Sequence, residues 1–170
     1  MAIERVADIL LKMGLEAPRI VIDSREQCPL EFEEFETVVT GLPCGDYGLQ
    51  GYSDWQNPAW IIERKSLEDL VGSLSKGRPR FMREVEKLRQ FQFAAIAIEA
   101  DQAAVEAGAY RSAMAPEAVL QTLAAIEVRC GLHILWCGHR AGAALSIERL
   151  ARQYLRGILK DVNRLRPKRN

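Results

Sequence analysis

The chain lacks an excess of charge, a long apolar run and any paired cysteines. Its 23 basic residues balance 23 acidic ones, which argues against a generic polyanion-binding surface. No apolar stretch approaches the roughly 20 residues that a membrane helix needs. The opening MAIERVADILLKMG alternates charged and apolar residues, without the apolar core or small-residue cleavage site of a signal peptide. The expectation is an intracellular protein, cytoplasmic, nucleoid-associated or nuclear, with no membrane partner. Cys28, Cys44, Cys130 and Cys137 form no CxxC pair, so they read as reduced thiols. Cys130, His133, Cys137 and His139 crowd together, but LHILWC reads as a buried strand that sends alternate side chains to opposite faces. Structural zinc is normally held by paired ligands on turns, so no zinc site is expected there. There is also no internal repeat.

What is present fits one ordinary domain: 170 residues, 48% hydrophobic and 27% charged. The charge is segregated. Residues 1–63 hold 12 acids and 4 bases, whereas Lys76 to Arg89 hold six bases against Glu84 and Glu86, and the segment from Arg156 onward holds six against Asp161. Carboxylates gathered at a metal with cations beside them can hold phosphate on a neutral protein.

The spacing of Ile3, Val6, Ile9, Leu10 and Met13 predicts an opening helix within residues 1–17, followed by a domain over 18–162 and a basic tail over 163–170. RIVID (19–23) reads as a central strand and Phe35 to Thr40 as another, with residues 46–50 and 59–63 as a strand pair. Ser66 is placed to N-cap a helix, with Asp69 at N3. KGRPR then interrupts, and a basic helix runs from Phe81 to Phe91. FAAIAIE (93–99) reads as a strand covered on both faces. Pro116 opens a helix burying Val119, Leu123 and Ile126, which Gly131 stops. HILWC is a strand, and residues 140–162 form a last helix with Ile147, Leu150, Tyr154, Ile158 and Val162 on its buried side. The fold class is α/β, a mixed central sheet flanked by helices.

Three clusters carry chemistry: Asp23-Ser-Arg-Glu26 after the first strand, Gly45-Asp46-Tyr47, and Glu63-Arg64-Lys65, with Asp69 one turn into the next helix. In AWIIERK, alternation puts Ile61, Glu63 and Lys65 on one face and Trp60 and Ile62 on the other, with Glu63 and Lys65 roughly 6.5–7 Å apart along the strand. An acid beside a lysine at a strand end suits a metal–water arrangement. Glu63 ligates a cation, Lys65 holds or polarises the attacking water, and Asp46 supplies a second carboxylate. Mg2+ takes one or two carboxylates plus waters and phosphate oxygens, which suits phosphodiester hydrolysis. Each cluster alone is common surface chemistry; their joint order beside strand ends is not.

Taken together, Gly45-Asp46, a variable gap, Glu63-Arg64-Lys65, three residues and Asp69 resemble the GDX(n)ERKX(3)D signature of the XPF-type nucleases. Val21-Ile22-Asp23-Ser24-Arg25-Glu26, Leu42-Pro43-Cys44-Gly45-Asp46-Tyr47 and Ser66-Leu67-Glu68-Asp69-Leu70 are similar to the segments that surround that signature, and Arg80-Phe81 with Glu84 and Leu88 to the following helix. The resemblance implies a restriction-endonuclease-like core and Mg2+ (or Mn2+) dependence. It implies incision of DNA near single-strand/double-strand junctions. Asp46 and Glu63 would ligate metal with Asp23 assisting, Lys65 would be catalytic, and Arg64, Glu26 and Asp69 would belong to the same site. The helicase region and the tandem helix-hairpin-helix domain of some relatives have no counterpart in these residues, so a DNA-targeting partner protein is expected to help select the substrate.

The basic stretch reads as a DNA-facing surface or a solvated helix side, with Arg78, Arg80 and Arg83 as the candidate phosphate contacts. Trp55 either stacks on an unpaired base or packs on its own hairpin. The last helix is core or the seam of a homodimer. Three functions compete: an active structure-selective endonuclease, a catalytically inactive partner that binds DNA or docks an active subunit, and a sequence-specific restriction enzyme on the same core. The complete set of Asp23, Asp46, Glu63, Lys65 and Asp69 favours the first.

Overall fold

FAAIAI, which has no polar residue, forms strand β5 (Phe93–Ile98). It pairs in parallel with β4 (Trp60–Lys65) on one side and β6 (His133–Trp136) on the other. Helices cover both of its faces, so nothing in it alternates. The computed structural model that carries this arrangement describes residues 18–165. The expected opening helix and most of the basic tail lie outside them. The other strands are β1 (Ile20–Asp23), β2 (Thr37–Thr40) and β3 (Tyr47–Leu49). They complete a six-stranded sheet in the order β2-β1-β3-β4-β5-β6. β3 runs antiparallel to both β1 and β4, while β1 and β2 are parallel.

Alternation along these strands splits the core in two. Val21, Ile61, Ala94, Ile96 and Ile98 face helices α1 (Leu67–Leu74), α2 (Arg78–Leu88) and α4 (Pro116–Cys130). Ile20, Ile22, Tyr47, Trp60, Ile62, Ala95 and Ala97 face α5 (Arg140–Leu165). The period-2 rule therefore sends Asp23, Glu63 and Lys65 toward the α1/α2 layer and Arg64 toward α5.

Four details differ from expectation. α2 begins at Arg78, because Pro79 sits in its first turn, where a missing N–H costs nothing. β6 is an edge strand and only half-buried. A five-residue helix α3 (Gln102–Glu106), capped by Asp101, is too short to show a period. On α5 the buried stripe is Ala143, Ile147, Ala151, Leu155 and Leu159, while Leu150, Tyr154 and Ile158 flank it half-exposed. Small alanines let that helix sit close to the sheet, which a reading based on large residues overlooks. The side chain of Val162 lies outside what is described. No helix of the described residues is long and apolar enough to cross a membrane.

α1 starts where β4 ends, and its cap sets the exit angle. The Ser66 hydroxyl accepts the Asp69 N–H at 3.1 Å and donates to the Asp69 carboxylate at 2.7 Å. Replacing Ser66 by Ala should destabilise the fold by about 1 kcal/mol. Urea denaturation reads this as a lower midpoint at unchanged slope; an unchanged midpoint would mean that the cap contributes nothing.

Candidate active site

The end of β4 opens into a cleft of about 590 Å³ lined by Asp23, Arg25, Asp46, Glu63, Lys65 and Asp69 from the sheet end and α1, and by Arg80, Phe81 and Glu84 from α2. Glu63 is 6% exposed and its carboxylate accepts the Lys65 ammonium at 2.5 Å. Lys65 also lies 5.7 Å from the centroid of the Phe81 ring. Asp46 arrives on a turn built for it. Gly45 has φ +68°, and a Cβ there would lie 2.9 Å from both Ile61 Cγ1 and the Ile62 carbonyl oxygen, so no other residue fits. The Asp46 N–H donates to the Ile62 carbonyl, its own carbonyl accepts the Asp23 N–H, and its carboxylate accepts the Arg64 N–H at 2.7 Å.

These groups perturb one another. Asp46 keeps part of its surface in the cleft, yet burial by the surrounding protein and then the charge of Glu63 push its carboxyl up to about 7. Burial also raises Glu63, although Lys65 opposes the shift. Burial works against the Lys65 ammonium, but Glu63, Asp46 and Asp69 outweigh it and hold the proton more firmly than usual. Two raised carboxylates beside one cation form a site short of positive charge.

Asp23 is differently placed. It is 2% exposed, and its oxygens accept Arg25 Nε at 2.6 Å, a second guanidinium nitrogen at 3.0 Å, the Arg25 N–H at 2.9 Å and the Leu42 N–H at 2.6 Å. Burial alone would raise it; these donors bring it below the usual carboxylate range. Arg64 and Glu26 meet at 3.2 Å on the α5 side of β4, where Arg64 also holds Glu99 at 2.7 Å and the Cys28 carbonyl at 2.9 Å. Arg140 of α5 donates to the same carbonyl at 2.9 Å. Asp69 is exposed at the cleft and engaged with Ser66. Of the three basic candidates, Arg80 lines the cleft, while Arg78 and Arg83 are exposed outside its lining. Ile147 is fully buried within the single chain.

Among the described residues, no group of three or more His, Cys, Asp or Glu side chains is disposed to hold an ion; this includes the cysteines and histidines around β6. The pair Asp46 and Glu63 still fits Mg2+ or Mn2+, since Mg2+ keeps several waters and needs only one or two carboxylates. The raised carboxyls are those that a divalent charge would relieve. Glu99 and Arg140 are not singled out by the sequence, and Arg25 and Glu84, though they stand in the quoted segments, are given no role there. Arg25 was legible as the next same-face residue after Asp23, and Glu84 as four residues beyond Arg80. Glu99 and Arg140 carry no local signal, because their partners are distant in the chain.

The sign of the pH dependence follows from Asp46. In the unfolded chain it ionises near its ordinary 3.8, whereas the metal-free fold holds the proton up to about 7. Stability from this group is therefore complete below about pH 4 and is lost as pH rises through 7. Asp46→Asn should remove that slope, so that in EDTA its melting temperature falls less than the wild type's between pH 5 and pH 8. Mg2+ should in turn stabilise the wild type more at pH 8 than at pH 6. Parallel pH profiles for the two proteins would contradict the placement of Asp46 in a desolvated, acid-rich site.

Comparison with known proteins agrees with this fold. The ERCC4 domain matches residues 22–150. No curated protein matches the sequence. Among solved structures, XPF from Aeropyrum pernix superposes with a TM-score of 0.65 at 26% identity, over 81% of this chain and 61% of that one. XPF from Aeropyrum pernix in complex with DNA superposes at 0.63 with 23% identity, over 83% and 66%. This chain thus spans less than two thirds of the length of either relative. The shared core is the restriction-endonuclease-like one, a mixed six-stranded sheet between helical layers. The match over most of its length places the chain in the XPF family, as an ERCC4 nuclease domain.

Proposed function

We propose that the protein is a divalent-metal-dependent endonuclease that hydrolyses DNA phosphodiester bonds at branched or single-strand/double-strand junction DNA. The observation that carries this reading is the pair of acid-raised carboxylates, Asp46 and Glu63, beside the Lys65 ammonium in an open cleft. The DNA complex of a protein with the same fold supports the choice of polymer.

Asp46 and Glu63 would hold Mg2+ (or Mn2+), which when bound would supply a water of lowered pKa and neutralise charge developing on the phosphate. Lys65 keeps its proton, so it serves as a hydrogen-bond donor and a positive charge, not as a base. It orients the attacking water and stabilises the charge that grows in the transition state. Arg64 acts from behind. Its N–H fixes the Asp46 carboxylate, and its guanidinium, held between Glu26 and Glu99, fixes the end of β4. Glu26 and Arg64 are therefore positioning residues. Asp69 anchors the start of α1 and adds negative charge at the cleft. Arg80 reaches phosphate from α2, with Arg78 and Arg83 farther along the backbone path. The proposal extends to a homodimer through the half-exposed flank of α5 (Leu150, Tyr154, Ile158) and to a partner protein that helps target the DNA.

Labelled fork, flap, nicked and plain duplex DNA, each with Mg2+ and with EDTA, provide the test. The wild type should cut the branched substrates only with the metal. Glu63→Gln should abolish cutting while fork binding persists. Lys65→Ala should slow turnover by roughly 10²–10³-fold at little changed Mg2+ requirement. Cleavage in EDTA, or near-wild-type cleavage by Glu63→Gln, would overturn the mechanism. Fork binding without any cutting by the wild type would identify an inactive partner instead, and cutting at one fixed site in plain duplex a restriction enzyme.

A further inference from the structure

The cleft does not end at the metal-binding carboxylates. On α2 the residues Arg80, Glu84 and Lys87 are spaced four and three apart, so they share one side of the helix. Arg80 and Glu84 line the cleft, and Lys87 reaches Glu84 at 3.3 Å. Arg83 is exposed on the flank of the same stripe. Four residues past Lys87 comes Phe91, 5% exposed, whose outer surface is met by Trp55 with ring centroids 5.7 Å apart and planes inclined at 46°. The stripe therefore leads from the site to a tryptophan.

Trp55 is 54% exposed, and its loop is firmly built. The Asp54 carboxylate accepts the N–H groups of Gln56 and Asn57, each at 2.8 Å, and the Asn57 side chain donates to the Gly51 carbonyl at 2.6 Å. Ser53 and Pro58 close the loop by an isolated bridge. Hiding an indole would need no such frame. This one is held with one part on Phe91 and the rest in water, which is how a stacking platform is presented.

We propose that this stripe is the track of one unpaired DNA strand leaving the cleft, with Arg80, Arg83 and Lys87 on its phosphates and Trp55 stacked on a base. The occupant follows from the chemistry. Cations alternating with the surface of one helix suit a phosphate backbone, and a lone fixed aromatic at the end suits a base that has lost its partner. In duplex DNA the π-face of every internal base is already covered. From Arg80 to the end of the helix at Leu88 the rise is roughly 12 Å, or about three to four stacked nucleotides at 3.4 Å per step, and Phe91 follows three residues later. The strand opening that makes a junction would thus be sensed at a fixed distance from the cut. The inference rests on the nuclease reading and gives it a single-strand arm of defined position.

Binding of the whole chain to forks is measured in EDTA, with one abasic site moved nucleotide by nucleotide along each single-strand arm. Wild-type affinity should drop at one position or two adjacent ones on a single arm, by roughly 5- to 100-fold. Trp55→Ala and Trp55→Leu should both bind the intact fork more weakly by that factor and show no sensitivity to the abasic position. Leucine still covers Phe91, so a merely structural tryptophan would be rescued by it. Recovery of the wild-type profile in Trp55→Leu, or an unchanged profile in Trp55→Ala, would overturn the track. A wild type that cuts forks but has a flat abasic profile sinks this inference alone, whereas one that neither binds nor cuts DNA sinks the nuclease reading with it.

Discussion

Two partly desolvated carboxylates, Asp46 just before β3 and Glu63 near the end of β4, constrain everything around them. Burial of charge is costly unless it is paired, and here the pairing is deliberately incomplete. Lys65 compensates Glu63, and the Arg64 N–H compensates Asp46, yet both acids remain raised. Asp23 shows what full compensation looks like in the same cleft: four donor contacts from Arg25 and Leu42 bring it below the ordinary range. The difference separates roles. Asp23 helps to shape the cleft through its bonds to Arg25 and the Leu42 N–H, while Asp46 and Glu63 are left with their negative charge only partly compensated.

Strand geometry performs the sorting. Glu63 and Lys65 fall on the side of β4 that α1 and α2 cover, while Arg64, one residue between them, falls on the side of α5. One tripeptide thus supplies the acid–ammonium pair to the cleft and an anchor to the opposite layer. The anchor reaches far. Arg64 and Arg140 share the Cys28 carbonyl, so the start of α5, the loop after β1 and the end of β4 are fastened at one point.

Much of this was legible because it depends on local period. β1, β4 and β5 follow from β-branched and apolar runs, the cap of α1 from Ser66 and Asp69, and the end of α4 from Gly131 at φ 70°. The shared direction of Glu63 and Lys65 needed only the alternation rule. What was hidden depends on contacts between distant segments. Nothing near Glu99 or Arg140 in the chain announces that each will serve Arg64 or its loop. The buried stripe of α5 is rotated by roughly 40° from the side marked by its large residues, because alanines form part of it where the helix approaches the sheet closely. The interruption expected at KGRPR is shorter than that segment: it falls between Leu74 and Arg78, because Pro79 belongs to the first turn of α2.

α2 shows how these levels meet. Its apolar side, Phe81, Val85 and Leu88, is ordinary core. One residue before Val85, Glu84 accepts the Gly45 N–H at 3.2 Å and so holds the turn that delivers Asp46. One turn earlier on the same side, Arg80 faces the cleft. A helix packed by its apolar stripe therefore couples a cleft-lining cation to the turn that carries a cleft-lining acid through a single carboxylate. Displacing α2 would move both together. Rigid packing beneath the site is thus part of its chemistry: the two cores supply the stability that the raised acids subtract, and they do so while keeping Arg80 and Asp46 in one frame.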